Sequence, residues 1–164
     1  LVMVVDMLKG FAAVKLAYLL PFYIDNDIAR TGFMIGLGLA AVLGHIFPIW
    51  ADFRGGKGVA TLFGLVLGIS PWTALCCVGI FLLVLYITRF VSLSSILASI
   101  AFPVFILVIF NVENQAYRVF AIAVALLVIL THQKNISRLL KGSESKVPIL
   151  KYRDRRKDRR RSGR

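Results

Sequence analysis

Residues 58–88 read GVATLFGLVLGISPWTALCCVGIFLLVLYIT, 31 residues with no charged side chain and a single proline, Pro71. One helix of that length would rise roughly 46 Å, well beyond the ~30 Å hydrocarbon core of a bilayer. Ser70-Pro71 marks a turn. The stretch is therefore read as two helices joined by a tight turn, in preference to one long helix kinked at Pro71. Working outward, five of the six apolar segments lie at 1–23, 32–50, 72–88, 93–110 and 116–131, and the sixth, 58–69, is short for a span. Hydrophobic residues make up 59% of the chain and the mean hydropathy is +0.81, which excludes an ordinary soluble domain. The apolar residues fall in long runs with little amphipathic alternation. The expected fold is an all-α, polytopic membrane helix bundle with six helices in this chain. Gly36, Gly38 and Gly44 share one segment and permit close helix contact. The adjacent Cys76 and Cys77 lie in an apolar run and read as small packed hydrophobes.

Charge is concentrated at the C-terminal end. Residues 132–164 hold 13 of the 20 Lys and Arg but only 3 of the 8 Asp and Glu, a net +10 out of +12. Residues 143–164 are read as a basic, disordered cytoplasmic tail that sets topology or lies on anionic headgroups. Nucleic acid is not an expected partner, since no folded nucleic-acid module accompanies the basic run. With the C-terminus placed in the cytoplasm by its basic residues, six crossings return the loops around Arg54, Lys57 and Arg89 to the same face. Asp25, Asp27, Arg30, Glu113 and Arg118 then lie outside. The expected location is the cell (plasma or inner) membrane. Because the chain opens Leu1-Val2-Met3 within an apolar run, a further segment is expected to join it on the cytoplasmic side, making seven spans in the complete protein.

Three polar segments meet on that cytoplasmic face. The first, residues 44–61, reads GHIFPIWADFRGGKGVAT. It is glycine-dense, carries Lys57 and Arg54, and opens a helix at Val59. Helix N-terminal N–H groups beside a lysine favour an anion, although the spacing is not that of a Walker A loop. The plainer reading of Gly55-Gly56-Lys57-Gly58 is a flexible turn before a helix. His45 lies upstream, as either a packed histidine or a site group, and Pro48 and Trp50 suit a helix end at the headgroup level. The second segment is Arg89-Phe90-Val91-Ser92. The third, following the last span, is His132-Gln133-Lys134-Asn135-Ile136-Ser137-Arg138. If helical, it places His132 and Asn135 on one face, with Ile136, Leu139 and Leu140 toward the membrane and Lys134, Arg138 and Lys141 toward water. Its plainer reading is an interfacial anchor. Asp6 and Lys9, at i and i+3 in the first segment, are an ion pair that is either structural or lines the site.

Taken jointly, these blocks resemble the bacterial integral-membrane acyl-phosphate:glycerol-3-phosphate acyltransferase family. The resemblance runs from Asp6-Met7-Leu8-Lys9-Gly10 through the G-H-x-F-P-x-W-x-x-F-x-G-G-K-G-V-A-T block, then Thr88-Arg89-Phe90-Val91-Ser92-Leu93-Ser94-Ser95, to residues 132–144. It implies that residues 1–142 form a transmembrane acyltransferase domain lacking its first span and first motif, a Gly-Ser-rich loop with a phosphate-contacting Ser and Arg, so that residues 1–164 alone are expected to be catalytically incomplete. It further implies acyl phosphate and glycerol 3-phosphate as substrates and 1-acyl-glycerol 3-phosphate and phosphate as products, the entry step of phospholipid synthesis. By the same resemblance Gly55, Gly56, Lys57 and Gly58, with Arg54, bind phosphate, and His132 and Asn135 orient substrate. His45, Ser92, Arg138, Asp6 and Lys9 are supporting candidates. The chain departs from the family at Gln133, where Arg is usual, and at Ser143, where Thr is usual.

No cofactor is expected, no metal site is expected in the absence of an H-E-x-x-H motif or a cysteine site, and no acyl-enzyme is expected in the absence of a Ser-His-Asp or Cys-His constellation. The expected chemistry is direct attack by the glycerol hydroxyl, its proton passing to a substrate phosphate oxygen or to His132. Two other classes compete: a small membrane anion transporter, and a non-enzymatic membrane assembly protein. A transporter calls for polar residues deep in several spans or inverted repeats. An assembly protein leaves the glycine loop unexplained.

Overall fold

The structure is a computed structural model that describes residues 2–19, 27–52 and 55–148. Every regular element among them is helical: α1 (Val2–Leu16), α2 (Asp27–Ile46), a 3-10 turn (Ile49–Ala51), α3 (Val59–Ile69), α4 (Pro71–Thr88), α5 (Val91–Val104) continued by a π-helical turn (Phe105–Ile109), α6 (Gln115–Thr131) and α7 (Gln133–Leu140). The six apolar segments become α1–α6. The expected count of six is corrected to seven, because the chain breaks at His132 and bends by 61° into the separate α7.

The turn between α3 and α4 is as tight as the sequence requires. Ser70 is extended (φ −139°, ψ 92°), Pro71 is the first residue of α4, and the Ser70 and Thr73 hydroxyls are 2.8 Å apart. Proline fits there because its missing N–H is one that a first helical turn leaves unpaired anyway. Length separates the helices into two groups. α2, α4 and the continuous Val91–Ile109 unit are long and apolar enough to cross a bilayer, and α6 with α7 makes a fourth only as one bent unit. α1 has 15 residues and α3 has 11. At 1.5 Å per residue α3 is only ~16 Å long. Its brevity is tolerable because it is enclosed by protein, with Thr61, Leu62, Gly64, Leu65, Val66 and Gly68 all buried. The expectation of six crossings thus exceeds what helix length supports among the described residues.

Lipid tails are as apolar as leucine, so close packing rather than hydrophobic burial must hold the helices together. α4 illustrates the first half of that statement, since Leu75, Leu82, Leu83, Tyr86 and Ile87 all face outward. The second half is visible between α1 and α3, which run parallel and touch backbone to backbone. A Cβ at Gly10 would collide with the Thr61 carbonyl oxygen, and one at Gly64 with that of Met7. Further along, Gly68 rests on Val14, and Gly38 of α2 rests on Leu65 and Val14. Of the three glycines singled out by sequence, only Gly38 packs this way; Gly36 and Gly44 have open space where a Cβ would stand. Lys15 closes the far end by donating to the Gly68 carbonyl at 3.1 Å, one of the carbonyls that the last turn of α3 leaves free.

α5 and α6 pack through Phe102, Tyr117 and Phe120, whose ring centroids are 5.9–6.1 Å apart in edge and stacked arrangements. Pro103 lies inside α5, and two residues later the ladder shifts to the wider π register. Asn114 then caps α6 by accepting from Tyr117 N–H at 3.1 Å, and its amide donates to Asp27 O and Thr31 Oγ1 of α2. These contacts fix the end of the bundle opposite the polar loops.

Candidate active site

Four chain segments converge at the other end. α2 ends at Ile46 as Pro48 approaches, and the chain turns through the 3-10 segment to Asp52 in the left-handed region (φ 51°). Trp50 beside that turn is fully exposed, as suits a headgroup-level side chain. Gly55 and Gly56 then fold back over the last turn of α2, where Gly56 N–H donates to His45 O at 3.3 Å. A Cβ at Gly55 would collide with the His45 carbonyl oxygen, and a Cβ at Gly56 with His45 Nε2. The paired glycines are thus explained first by close approach to α2. Gly58 (φ 76°) starts α3, which has no side-chain cap on its first N–H groups. Lys57 stands directly before that uncapped N-terminus.

Lys57 Nζ donates to Asn135 Oδ1 at 2.6 Å. Asn135, buried on α7, donates in turn from Nδ2 to Glu144 Oε1, also at 2.6 Å. The same oxygen accepts from Ser92 Oγ of α5 at 2.6 Å, and Glu144 Oε2 accepts from Arg138 Nε at 2.6 Å. One carboxylate therefore ties α5 to α7 and, through Asn135, to the glycine loop. Donors from Ser92, Asn135 and Arg138 stabilise the ionised form and push the Glu144 carboxyl down to about 2. Lys57 is lowered from the ordinary lysine value by desolvation, the largest effect, against which the Glu144 charge acts, with a smaller lowering from the Arg138 charge.

Glu144 reaches this position because of how α7 ends. Gly142 is left-handed (φ 67°), Gly142 N–H donates to Leu139 O at 3.1 Å and Ser143 N–H to Arg138 O at 2.9 Å. This is a Schellman reversal, and it throws the following residues back over the helix. Val147 N–H then donates to Arg89 O at 2.9 Å, and Lys146 lies over the Phe90 ring. Residues 143–148, grouped by sequence with the tail, are therefore tied to α4, α5 and α7. Residues 149–164 lie outside the described residues, as does Arg54.

His132 occupies the break between α6 and α7 and is 2% exposed. Its Nδ1 is 2.8 Å from Val128 O. Only N–H faces a carbonyl favourably, so the neutral ring carries its proton on Nδ1 and its lone pair on Nε2. The charges of Lys57 and Glu144 both act on this ring. The expected apolar stripe of α7 divides: Ile136 packs against the core, whereas Leu140 is 84% exposed.

The sequence candidates thus separate into two neighbouring groups. Lys57, Ser92, His132, Asn135 and Arg138 surround Glu144. Asp6, Lys9 and His45 form a second cluster beneath the glycine loop, with Asp6 Oδ1 3.2 Å from Lys9 Nζ and 3.3 Å from His45 Nδ1. Glu144 was missed as a site residue by sequence reasoning. Its signal was available, because it is the only acidic residue between 132 and 153. Among the described residues no group of three or more His, Cys, Asp or Glu is placed to hold a metal.

Residues 1–142 match the family described as Glycerol-3-phosphate acyltransferase. This chain belongs to that family. A glycerol-3-phosphate acyltransferase of Prochlorococcus marinus (strain MIT 9215) is 44% identical over 146 residues, covering 89% of this chain and 71% of the relative. One from Chlorobium chlorochromatii (strain CaD3) is 36% identical over 178 residues, covering 92% and 76%. Among solved structures, PlsY (YgiH), an integral membrane glycerol 3-phosphate acyltransferase, is similar in its glycerol 3-phosphate form. The TM-score is 0.78 at 37% identity, over 92% of this chain and 71% of that one. Its lysophosphatidic acid form gives 0.76 at the same identity. This chain is accordingly a multi-pass membrane protein whose polar end gathers Lys57, Ser92, His132, Asn135, Arg138 and Glu144.

Proposed function

We propose that this protein transfers an acyl group from acyl phosphate to the 1-hydroxyl of glycerol 3-phosphate, giving 1-acyl-glycerol 3-phosphate and inorganic phosphate in phospholipid synthesis. The observation that carries the reading is the chain Lys57–Asn135–Glu144 beside a neutral His132, at the open N-terminus of α3. Acyl phosphate is an activated mixed anhydride. Its transfer therefore calls for positioning and charge neutralisation more than for a protein nucleophile.

Lys57 and the first N–H groups of α3 take a phosphate, with Gly55, Gly56 and Gly58 shaping the loop and Arg54 adding a second cation. Arg138 spends Nε on Glu144, which leaves its terminal amino groups for the other substrate's phosphate. The hydroxyl oxygen attacks the acyl carbonyl carbon, the bond from that carbon to the phosphate oxygen breaks, and inorganic phosphate leaves. The hydroxyl proton goes to His132 Nε2 or to a phosphate oxygen of the substrate. Asn135, held by Glu144 on one side, keeps Lys57 aimed while this happens.

The site-bearing end carries Lys57, Arg89, Lys134, Arg138, Lys141 and Lys146, which supports a cytoplasmic orientation in the cell membrane. The basic residues beyond 148 are proposed to lie against anionic headgroups on that side. The experiment is phosphate release by the purified full-length protein in detergent, with each substrate omitted in turn. Release that needs both substrates supports the reading. Release from acyl phosphate alone, or none at all, refutes it. In the same assay, near-normal turnover by His132→Ala removes His132 as the proton acceptor.

A further inference from the structure

Asp6 and His45 form a connected unit with the glycine loop, and the transfer chemistry uses neither of these two side chains. Asp6 is buried on α1, and its Oδ1 lies 3.3 Å from His45 Nδ1 of α2. Lys9, 3.2 Å from the same oxygen, offsets the buried charge while its own side chain stays 57% exposed. The carboxylate stands where it accepts from Nδ1–H and orients the ring, whose Nε2 edge faces the loop. At Gly56 an added Cβ would collide with Nε2 and stand 3.1 Å from Cε1. The His45 carbonyl also accepts Gly56 N–H, and a Cβ at Gly55 would collide with that same oxygen. His45 therefore supports the loop twice, by ring and by carbonyl, immediately before Lys57.

We propose that Asp6 and His45 are a positioning pair for glycerol 3-phosphate: a strut that sets the height of the glycine loop over α2 and hence the reach of Lys57. The proposal deepens the acyltransferase reading and rests on it. Neither residue is asked to touch the reacting atoms. Losing the strut displaces Lys57 without altering the attack itself, so the effect falls on KM for glycerol 3-phosphate and not on kcat. A residue that merely holds the fold would instead lower the active fraction, with KM unchanged.

The test uses steady-state phosphate release with the purified full-length protein, varying each substrate. His45→Ala and Asp6→Ala are each expected to raise KM for glycerol 3-phosphate roughly tenfold, with kcat and KM for acyl phosphate within about threefold of the unmodified protein. The double variant is expected to be no worse than the poorer single one, since both remove the same support. Asp6→Asn keeps an acceptor for Nδ1–H and is expected to recover most of the affinity. An independent arm avoids dependence on folding of the alanine variants. Gly56→Ala drives a methyl into the ring edge and raises the same KM, and shortening the ring with His45→Asn in that background lowers it again. Unchanged KM, additive effects, or failure of His45→Asn to relieve Gly56→Ala overturns the strut. Absence of two-substrate phosphate release by the unmodified protein overturns the acyltransferase reading, and the strut with it; the two failures are thereby distinguished.

Discussion

Asn135 is the joint on which the site turns, because its amide faces a cation on one side and a carboxylate on the other. Asn135→Ala removes the acceptor 2.6 Å from Lys57 Nζ. A hydrogen bond to a charged group contributes about 1.5–3 kcal/mol, and the exposure of Lys57 to water argues for the lower end. At 1.36 kcal/mol per tenfold, kcat/KM should fall about tenfold. Asn135→Asp is the sharper perturbation. It keeps an acceptor for Lys57 but replaces the donor to Glu144 with a second carboxylate, where the present separation is 2.6 Å. In the native site Glu144 titrates near pH 2, so it is ionised throughout the working range. In the variant two like charges share one place, and the pair takes up a proton at a pH well above the ordinary carboxylate range. Protonation restores a donor between the two groups. The activity of Asn135→Asp, expressed as a ratio to the unmodified protein at each pH, should therefore be low at pH 8 and climb toward pH 5. Taking the ratio cancels ionisation of the substrates. The assay is phosphate release at saturating acyl phosphate and limiting glycerol 3-phosphate. An Asn135→Ala variant within twofold of the parent, or a flat ratio for Asn135→Asp, would refute the reasoning.

Other consequences follow from single residues. The lowered pKa of Lys57 means that its charge is lost at a lower pH than a free lysine's 10.5; KM for glycerol 3-phosphate should rise on the alkaline side below that value, and Lys57→Arg should move the rise upward. Gly142→Ala strains a left-handed residue (φ 67°) at a cost of about 1 kcal/mol and misplaces Glu144, so the thermal midpoint should fall modestly and activity more than proportionately. Gly64→Ala drives a Cβ into Met7 O between α1 and α3 and should abolish monodisperse elution in detergent, whereas Gly36→Ala, which meets open space, should leave it unchanged.

What the sequence revealed and what it hid divide along a physical line. The Ser70-Pro71 turn, the amphipathic pattern of α7 and the shared face of His132 and Asn135 depend on local spacing, which a sequence displays directly; the 61° break between α6 and α7 was not legible in this way. The Gly10–Thr61 and Gly64–Met7 contacts depend on the register of two helices about fifty residues apart, and no local pattern sets that register. Gly36 and Gly44 have the right residue type but lie on faces that meet nothing. Glu144 was overlooked because it sits in a basic stretch that resembles a solvated tail; only the reversal at Gly142 turns it inward. The glycine loop was legible as a loop beside a helix N-terminus. That its glycines also make room for His45 required the fold. The short α3 read as a span for a comparable reason, since hydropathy does not distinguish burial in protein from burial in lipid.

The polar end joined by Lys57, Asn135 and Glu144 is proposed to carry out two-substrate acyl transfer. The most direct measurement is mass-spectrometric detection of the acylated product, with phosphate release followed in the same reaction. One equivalent of 1-acyl-glycerol 3-phosphate is expected per phosphate released, with both lost when glycerol 3-phosphate is omitted and both sharply reduced in Lys57→Met. Phosphate release without acylated product, or product formation undiminished by Lys57→Met, would contradict this proposal.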